Sequence, residues 1–276
     1  MHRFFLENQT IQSNQEVDLA PLAHQLRSVL RLSSGTMIQL LDGRGEAFLT
    51  EIQQLDRHKS IGFVHSQAPV TGEPDCHLTL YQCSLKRDKF EWILQKGTEL
   101  GVSCFVPVIS QRSIVRPKEA LNKKYQRWQI IIREAAEQCG RGLLPVLASP
   151  LDWDEVMTQA KGVRLLPWEG SIDSAIYQES SRKGLQDSFD SRIRPDPCLE
   201  DGLAPHLSVA VQQWTNDTTQ NQKINLMIGP EGGITQEEMT MAQSSGWQIV
   251  SLGKRILRAE TAAVASTAIM MSYFDS

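Results

Sequence analysis

From residue 77 onward, short apolar runs alternate with stretches of helical spacing, and that rhythm leaves few folds open to the chain. Residues 77–83 (HLTLYQC), 103–109, 163–168, 224–228 and 248–252 have the length and apolar content of buried strands, with a shorter one at 144–147. Residues 88–100, 120–139 and 152–160 space their apolar side chains as helices do, and a further helix separates the last two strands. Gly101 stands where a helix C-cap glycine is expected. Strands that alternate with helices are joined by crossover connections, which predicts an α/β domain with a mainly parallel sheet. Such a sheet offers its ligand site at the loops beyond the carboxyl ends of its strands.

The first part of the chain follows a different rhythm. Residues 37–41 and 47–52 are strand-like with Asp42-Gly43 as the turn between them, and 58–64 is a third strand. Residues 23–32 (AHQLRSVLRL) have helical spacing through Leu26, Val29 and Leu30, and 67–74 (QAPVTGEP) reads as a linker. Two domains are therefore expected, a small β-rich one over 1–72 and the α/β one over 73–276. Residues 178–222, rich in Ser, Asp, Asn and Gln and carrying Pro195, Pro197 and Pro205, interrupt the alternation. They read as a surface insertion of disorder-prone composition, with a strand-like run at 207–214 and no assigned chemistry.

A chain of 276 residues, 41% hydrophobic and 22% charged, can bury two such cores in water. Residues 1–6 lack the apolar run of a signal peptide, and no stretch reaches membrane-spanning length, so no membrane partner is expected. The five cysteines (Cys76, Cys83, Cys104, Cys139, Cys198) are odd in number and form no CxxC pair. That excludes a disulfide framework and a zinc motif and places the chain in the reducing cytoplasm, without metal. The net charge of −4 hides an asymmetry: residues 84–141 carry 12 Lys/Arg against 6 Asp/Glu. Such a face suits a phosphate-bearing partner as well as it suits a solvated helical surface.

Two loops carry the polar residues that chemistry needs. Gly229-Pro230-Glu231-Gly232-Gly233 follows an apolar strand and feeds a capping box, Thr235 to Glu238, so it opens a helix. Free N–H groups at a helix start can hold a phosphate. This loop, however, has no lysine and matches neither GxxxxGK[ST] nor GxGxxG, and Glu231 repels phosphate. A neutral or zwitterionic ligand gripped by backbone groups fits better, with a plain structural turn as the alternative. In the second loop, 252–262 (LGKRILRAETA), Leu252, Ile256 and Leu257 can line an apolar slot while Lys254, Arg255 and Arg258 supply charge. Glu260 and Thr261 open an alanine-rich helix, whose start is already electropositive. An ion pair between Glu260 and an arginine is the structural alternative. His24 and His77 lie in element-like stretches and offer no obvious base, and Trp92 and Trp128 fit core positions on amphipathic helices.

Four stretches, LMIGPEGG (226–233), LGKRILRAETA (252–262), LQKGTELGV (94–102) and EAAEQCGR (134–141), resemble the ribosomal RNA small subunit methyltransferase E family. The likeness extends to Arg3 in MHRFF and to HQLRSVLRLSSG (24–35), so it spans nearly the whole chain apart from 178–222. The resemblance implies a PUA-like RNA-binding barrel followed by a SPOUT-type α/β domain with a C-terminal trefoil knot, which the usual rules of chain connection disfavour. It implies a homodimer that methylates N3 of a uridine in 16S rRNA of the small ribosomal subunit with S-adenosylmethionine. An inactive RNA-binding or assembly protein of the same fold, and a Rossmann-type small-molecule methyltransferase, are the competing readings. Carried over by motif, the cofactor lies on three strand-end loops. Its contacts are expected from Leu166 and Pro167, from Ile228, Gly229, Glu231 and Gly232, and from Leu252, Gly253, Ile256, Leu257, Glu260, Thr261 and Ala262. Arg258 and Arg255 are the expected catalytic cations, stabilising charge on the uracil oxygens. Arg3, Arg27, Arg31, Arg112 and Arg141 are the expected RNA contacts.

Overall fold

The computed structural model describes residues 1–7, 9–86, 88–168, 204–215 and 223–274. They form two compact units, Met1–Glu73 with Ile130–Pro145, and Pro74–Gln129 with Val146–Ser276.

The first unit is built on five strands, β1 (Arg3–Phe5), β2 (Glu16–Asp18), β3 (Met37–Leu41), β4 (Glu46–Leu55) and β5 (Ser60–Pro69), ordered β1-β3-β4-β5-β2. β1 runs parallel to β3 and the other pairings are antiparallel. Alternate residues point inward, so Phe4, Ile38, Leu40, Phe48, Ile52 and Val64 share one core. The Asp42-Gly43 turn forms as expected: Asp42 Oδ1 accepts the N–H groups of Arg44 and Glu46, and Gly43 takes φ +75°. Two expectations change. Residues 67–69 extend β5 against β4 instead of starting a linker. Residues 23–29 are helical, as the spacing predicts, but not as a regular α-helix: a 3₁₀ turn at Ala20–Leu22 containing Pro21 leads through 23–24 into a π-helical turn, Gln25–Val29. In this run Leu26 is fully buried and Leu30 packs half-buried against the same core, while Val29 is 61% exposed. Arg31, at φ +54°, ends it.

The second unit takes up β6 (His77–Cys83), α1 (Lys89–Glu99), β7 (Cys104–Ile109), α2 (Lys118–Asn122), α3 (Tyr125–Cys139), β8 (Val146–Leu147), β9 (Leu151–Asp152), α4 (Trp153–Gln159), β10 (Val163–Pro167), α5 (Leu207–Thr215), β11 (Lys223–Ile228), α6 (Gln236–Ser244), β12 (Gln248–Val250) and α7 (Ala259–Met271). From Ile130 on, α3 counts with the first unit. The sheet is ordered β12-β10-β11-β6-β7-β8, with β9 also on β7, and every pairing is parallel. The α/β expectation holds.

Residues 120–139 are broken into α2 and α3, since the weak helix former Asn122 ends the first piece. Most of 178–222 lies outside the described residues. Its strand-like run is instead the helix α5, because Leu207, Ala210 and Val211 are buried at helical spacing. Leu100 caps α1, and Gly101 (φ +95°) and Val102 return N–H groups to Thr98 and Gly97, a Schellman motif that only glycine enters without strain. Trp128 is buried and stacks on Phe90 at 4.4 Å, whereas Trp92, expected in the core, is 43% exposed. Among the described residues, no helix is long and apolar enough to cross a membrane.

From β6 the chain moves to β7 on one side, and from β11 it moves to β12 on the other. The carboxyl ends of β6 and β11, at Cys83 and Ile228, therefore flank the crevice where open α/β sheets hold ligands.

Candidate active site

β11 ends in the glycine loop at that crevice. A Cβ on Gly229 would come 2.9 Å from Ile234 Cγ1, so the close turn requires glycine there. Gly233 returns its N–H to Pro230 O at 3.0 Å. The capping box forms as the sequence predicts: Thr235 Oγ1 accepts the Glu238 N–H at 3.2 Å, and Glu238 Oε2 accepts the Thr235 N–H at 3.1 Å. Glu238 Oε1 also accepts the Gln111 N–H at 2.6 Å, and Arg112 Nη1 donates to Gly232 O at 3.1 Å. The turn after β7 thus braces the glycine loop. Glu237 is held below its usual range by its own N–H and the Thr235 hydroxyl, with a smaller contribution from Arg112. Two carboxylates already occupy the positive end of α6, which leaves little for a phosphate to gain.

The second loop leaves β12 at Val250. Gly253 takes φ +102°, with nothing within 4 Å of where a Cβ would sit, and donates its N–H to Ser251 Oγ at 3.1 Å. Lys254, Arg255 and Arg258 are exposed, Leu252 and Leu257 are half-buried, and Ile256 is 80% exposed. Arg258 is the N-cap residue of α7, without a side-chain cap bond, and its carbonyl accepts the Ala262 N–H at 2.8 Å. Glu260 pairs with Lys89 at 3.4 Å rather than with an arginine. The same ammonium reaches Glu231 at 3.1 Å. Its pKa is raised, first by the hydrogen bond to Glu231, against a desolvation cost, and then by Glu260. Sequence reasoning missed Lys89; its position just ahead of the LQKGTELGV stretch was the available signal.

The third loop follows β10. Pro167 pairs with Val250 and Trp168 donates its N–H to Val250 O at 3.0 Å, so residues 166–168 run beside the exit of β12. Leu166 and Ile228 are fully or almost fully buried, and Leu166 belongs to the core with Val106 and Met227, so a ligand meets their backbone rather than the Leu166 side chain. Thr261 is exposed and Ala262 half-buried in the first turn of α7. All three loops follow parallel strands and leave the sheet at one end. Next to them, Gln82 Oε1, at the end of β6 in register with Ile228, is buried without a hydrogen-bond partner. Cys83 is no nucleophile: burial pushes its thiol up to about 12. Among the described residues, no cluster of three or more His, Cys, Asp or Glu could hold a metal ion.

Of the expected RNA contacts, Arg112 is exposed and bonded to the glycine loop. In the first unit, Arg3 is exposed, donates Nε to Gln39 Oε1 at 3.1 Å and lies over Gly140 at the end of α3. Arg27 and Arg31 are exposed, and Arg27 Nη1 donates to Asp56 O at 2.6 Å. Arg141 is the buried one of the five: it is 7% exposed, and its Nε and Nη2 both donate to Glu73 Oε2, at 3.1 and 2.8 Å, so helix-end packing, the alternative to RNA contact for this residue, has its partner in place.

A family model described as an RNA methyltransferase domain matches residues 72–190 and 199–271. The fold and the three loops thus define an α/β RNA methyltransferase domain. The ribosomal RNA small subunit methyltransferase E of a Synechocystis strain is 30% identical, over 92% of this chain and 71% of that protein. Its Bacillus subtilis counterpart is 28% identical over 95% and 93%. The crystal structure of a ribosomal RNA small subunit methyltransferase E from Neisseria gonorrhoeae, bound to S-adenosyl methionine, superposes with a TM-score of 0.76 at 30% identity, covering 99% of this chain and 98% of that one. The chain belongs to the ribosomal RNA small subunit methyltransferase E family.

Proposed function

We propose that this protein uses S-adenosylmethionine to methylate N3 of a uridine in 16S rRNA, acting on the assembled small ribosomal subunit. The observation that carries the reading is the set of three loops that leave β10, β11 and β12 at one end of the parallel sheet, with the exposed Arg258 in the last of them. The residues present fit this cofactor. Open space at Gly253 and the apolar Leu252, Ile256 and Leu257, beside the tight glycine loop of Gly229, Gly232 and Gly233, suit an adenosine without phosphate. Glu231 and Glu260 suit a molecule with cationic centres, and Thr261 and Ala262 add the first turn of α7.

When bound, S-adenosylmethionine supplies an electrophilic methyl group. The protein's part is orientation, because holding two reactants in line removes much of the entropic barrier. Uridine N3 must lose its proton, and the negative charge then spreads onto O2 and O4. Arg258 stabilises that charge, with Arg255 as the neighbouring cation, at a helix N-terminus that is itself positive. Arg3, Arg27 and Arg31 contact RNA phosphates from the first unit, which in this reading is the PUA-like RNA-binding domain of residues 1–72. A trefoil knot in the domain of 73–276, a cytoplasmic homodimer and a site independent of metal complete the reading, all supported by family membership. Buried Ala263, Ser266 and Thr267 already use the small-residue face of α7 within the chain.

Mass mapping of methylated nucleosides in rRNA from cells lacking this protein tests the reading. One N3-methyluridine should vanish from 16S rRNA and return with the wild-type gene but not with an Arg258→Ala gene. An unchanged methylation map would assign the fold to an inactive RNA-binding role.

A further inference from the structure

Lys89 opens α1, and its ammonium meets carboxylates from two different strand-end loops. Glu231 Oε1 of the glycine loop lies 3.1 Å away, and Glu260 Oε2 of the first turn of α7 lies 3.4 Å away. Glu231 Oε1 also accepts the backbone N–H of Lys86 at 3.4 Å, so the connection from β6 to α1 holds it twice. The three side chains are only 32%, 22% and 18% exposed, in the order Lys89, Glu231, Glu260. Solvent still screens such contacts in part, so the weight of the bridge lies in which loops it joins. Glu260 Oε2 is buried, yet its contact with Lys89 lacks hydrogen-bond geometry, which leaves that oxygen open to a further donor.

Local secondary structure does not call for this bridge. The far end of α1 is closed by its Schellman motif and α6 by its own capping box. Without Lys89, two carboxylates would face each other across the mouth of the two loops and repel. With it, one positive and two negative charges leave the group at net −1, the sign that suits a cofactor bearing a sulfonium and an ammonium against one carboxylate.

We propose that Lys89 is a positioning residue for the cofactor: by bridging Glu231 and Glu260 it fixes the glycine loop against the start of α7. The proposal rests on the assignment of these loops to S-adenosylmethionine. The full-length protein carrying Lys89→Met, Lys89→Arg, Glu231→Gln or Lys89→Met with Glu231→Gln is assayed on small ribosomal subunits, with calorimetric titration of S-adenosylmethionine and of its demethylated product. Lys89→Met should raise KM for the cofactor about tenfold and weaken the product similarly, with kcat and the subunit KM within about twofold, a split that follows when only cofactor binding is lost. Lys89→Arg should restore most of the affinity. The double variant should lose less affinity than the sum of the Lys89→Met and Glu231→Gln losses, since residues that act as one unit are not additive. Wild-type protein that binds the cofactor, with Lys89→Met binding equally well, overturns the role of Lys89 alone. So does a double variant whose losses simply add. Wild-type protein that binds no cofactor overturns the site assignment, and the bridge with it.

Discussion

Arg141 and Arg258 stand in two motifs that resemble the family, and the structure sets them in opposite surroundings. Arg141 is 7% exposed and gives two donors to Glu73, whose other oxygen takes the N–H groups of Gly142 and Leu143 at 2.8 and 3.0 Å. It closes the end of a segment by satisfying buried groups. Arg258 is exposed and caps α7 with no side-chain bond, placing a cation where the helix dipole favours an anion. A residue that breaks a local rule without local compensation marks a place where function outweighs stability. A motif therefore tells which cation to examine, and burial and partners tell what it does.

The largest effect should come from breaking the structural member of that comparison. Glu73→Ala removes the carboxylate that accepts from the buried Arg141 guanidinium and from the N–H groups of Gly142 and Leu143, and should cost about 3–5 kcal/mol of stability, read as a lowered denaturant midpoint. A loss below about 1 kcal/mol would put Arg141 back among surface cations. Next, Arg258→Ala should lower kcat by about 10²–10³, the usual loss for one donor to a developing oxyanion, with cofactor affinity nearly kept. Its denaturant midpoint should stay level or rise slightly, since the removed charge opposed the helix dipole. A third test addresses the loop that presents Arg258. At Gly253 there is room for a Cβ, so Gly253→Ala should cost only the backbone strain of φ +102°, about 1–2 kcal/mol, seen as weaker cofactor binding or lower stability.

The smallest effect concerns Arg27, an exposed cation that nonetheless donates to Asp56 O. Asp56 is lowered from 3.8 to about 2, chiefly by the Gln54 amide and then by the N–H groups of His58 and Lys59. A depressed carboxyl stabilises the folded state above its unfolded pKa and loses that contribution as pH falls through its folded one. Unfolding followed from pH 5 to pH 2 should show a slightly shallower decline for Asp56→Asn than for the wild type. Identical profiles would mean that the turn gripped by Arg27 is not held by this carboxylate.

The parallel sheet was legible because β6, β7, β10 and β11 each carry consecutive apolar residues, such as Leu80-Tyr81, Phe105-Val106, Leu165-Leu166 and Leu226-Met227, rather than a strict alternation. The capping box at Thr235 and the cap at Gly101 were legible because each depends on residues close in sequence. What escaped depends on distant partners. The bridge from Lys89 to Glu231 and Glu260 joins positions more than a hundred residues apart, and no local pattern marks it. No local pattern marks Arg141 with Glu73, 68 residues apart, or Gln111 and Arg112 bracing the glycine loop. α5 was misread because Val209 and Val211 suit a strand equally well, and only the burial of Leu207, Ala210 and Val211 on one face settles its period.

In the proposed function the exposed Arg258 beside the three loops serves methyl transfer to a uridine nitrogen. Small ribosomal subunits purified from cells lacking this protein, incubated with it and methyl-labelled S-adenosylmethionine, then digested to nucleosides, test this most directly. The account predicts label in N3-methyluridine from 16S rRNA with the wild-type protein and almost none with Arg258→Ala. Label in a different nucleoside, or undiminished N3 labelling by Arg258→Ala, would contradict it.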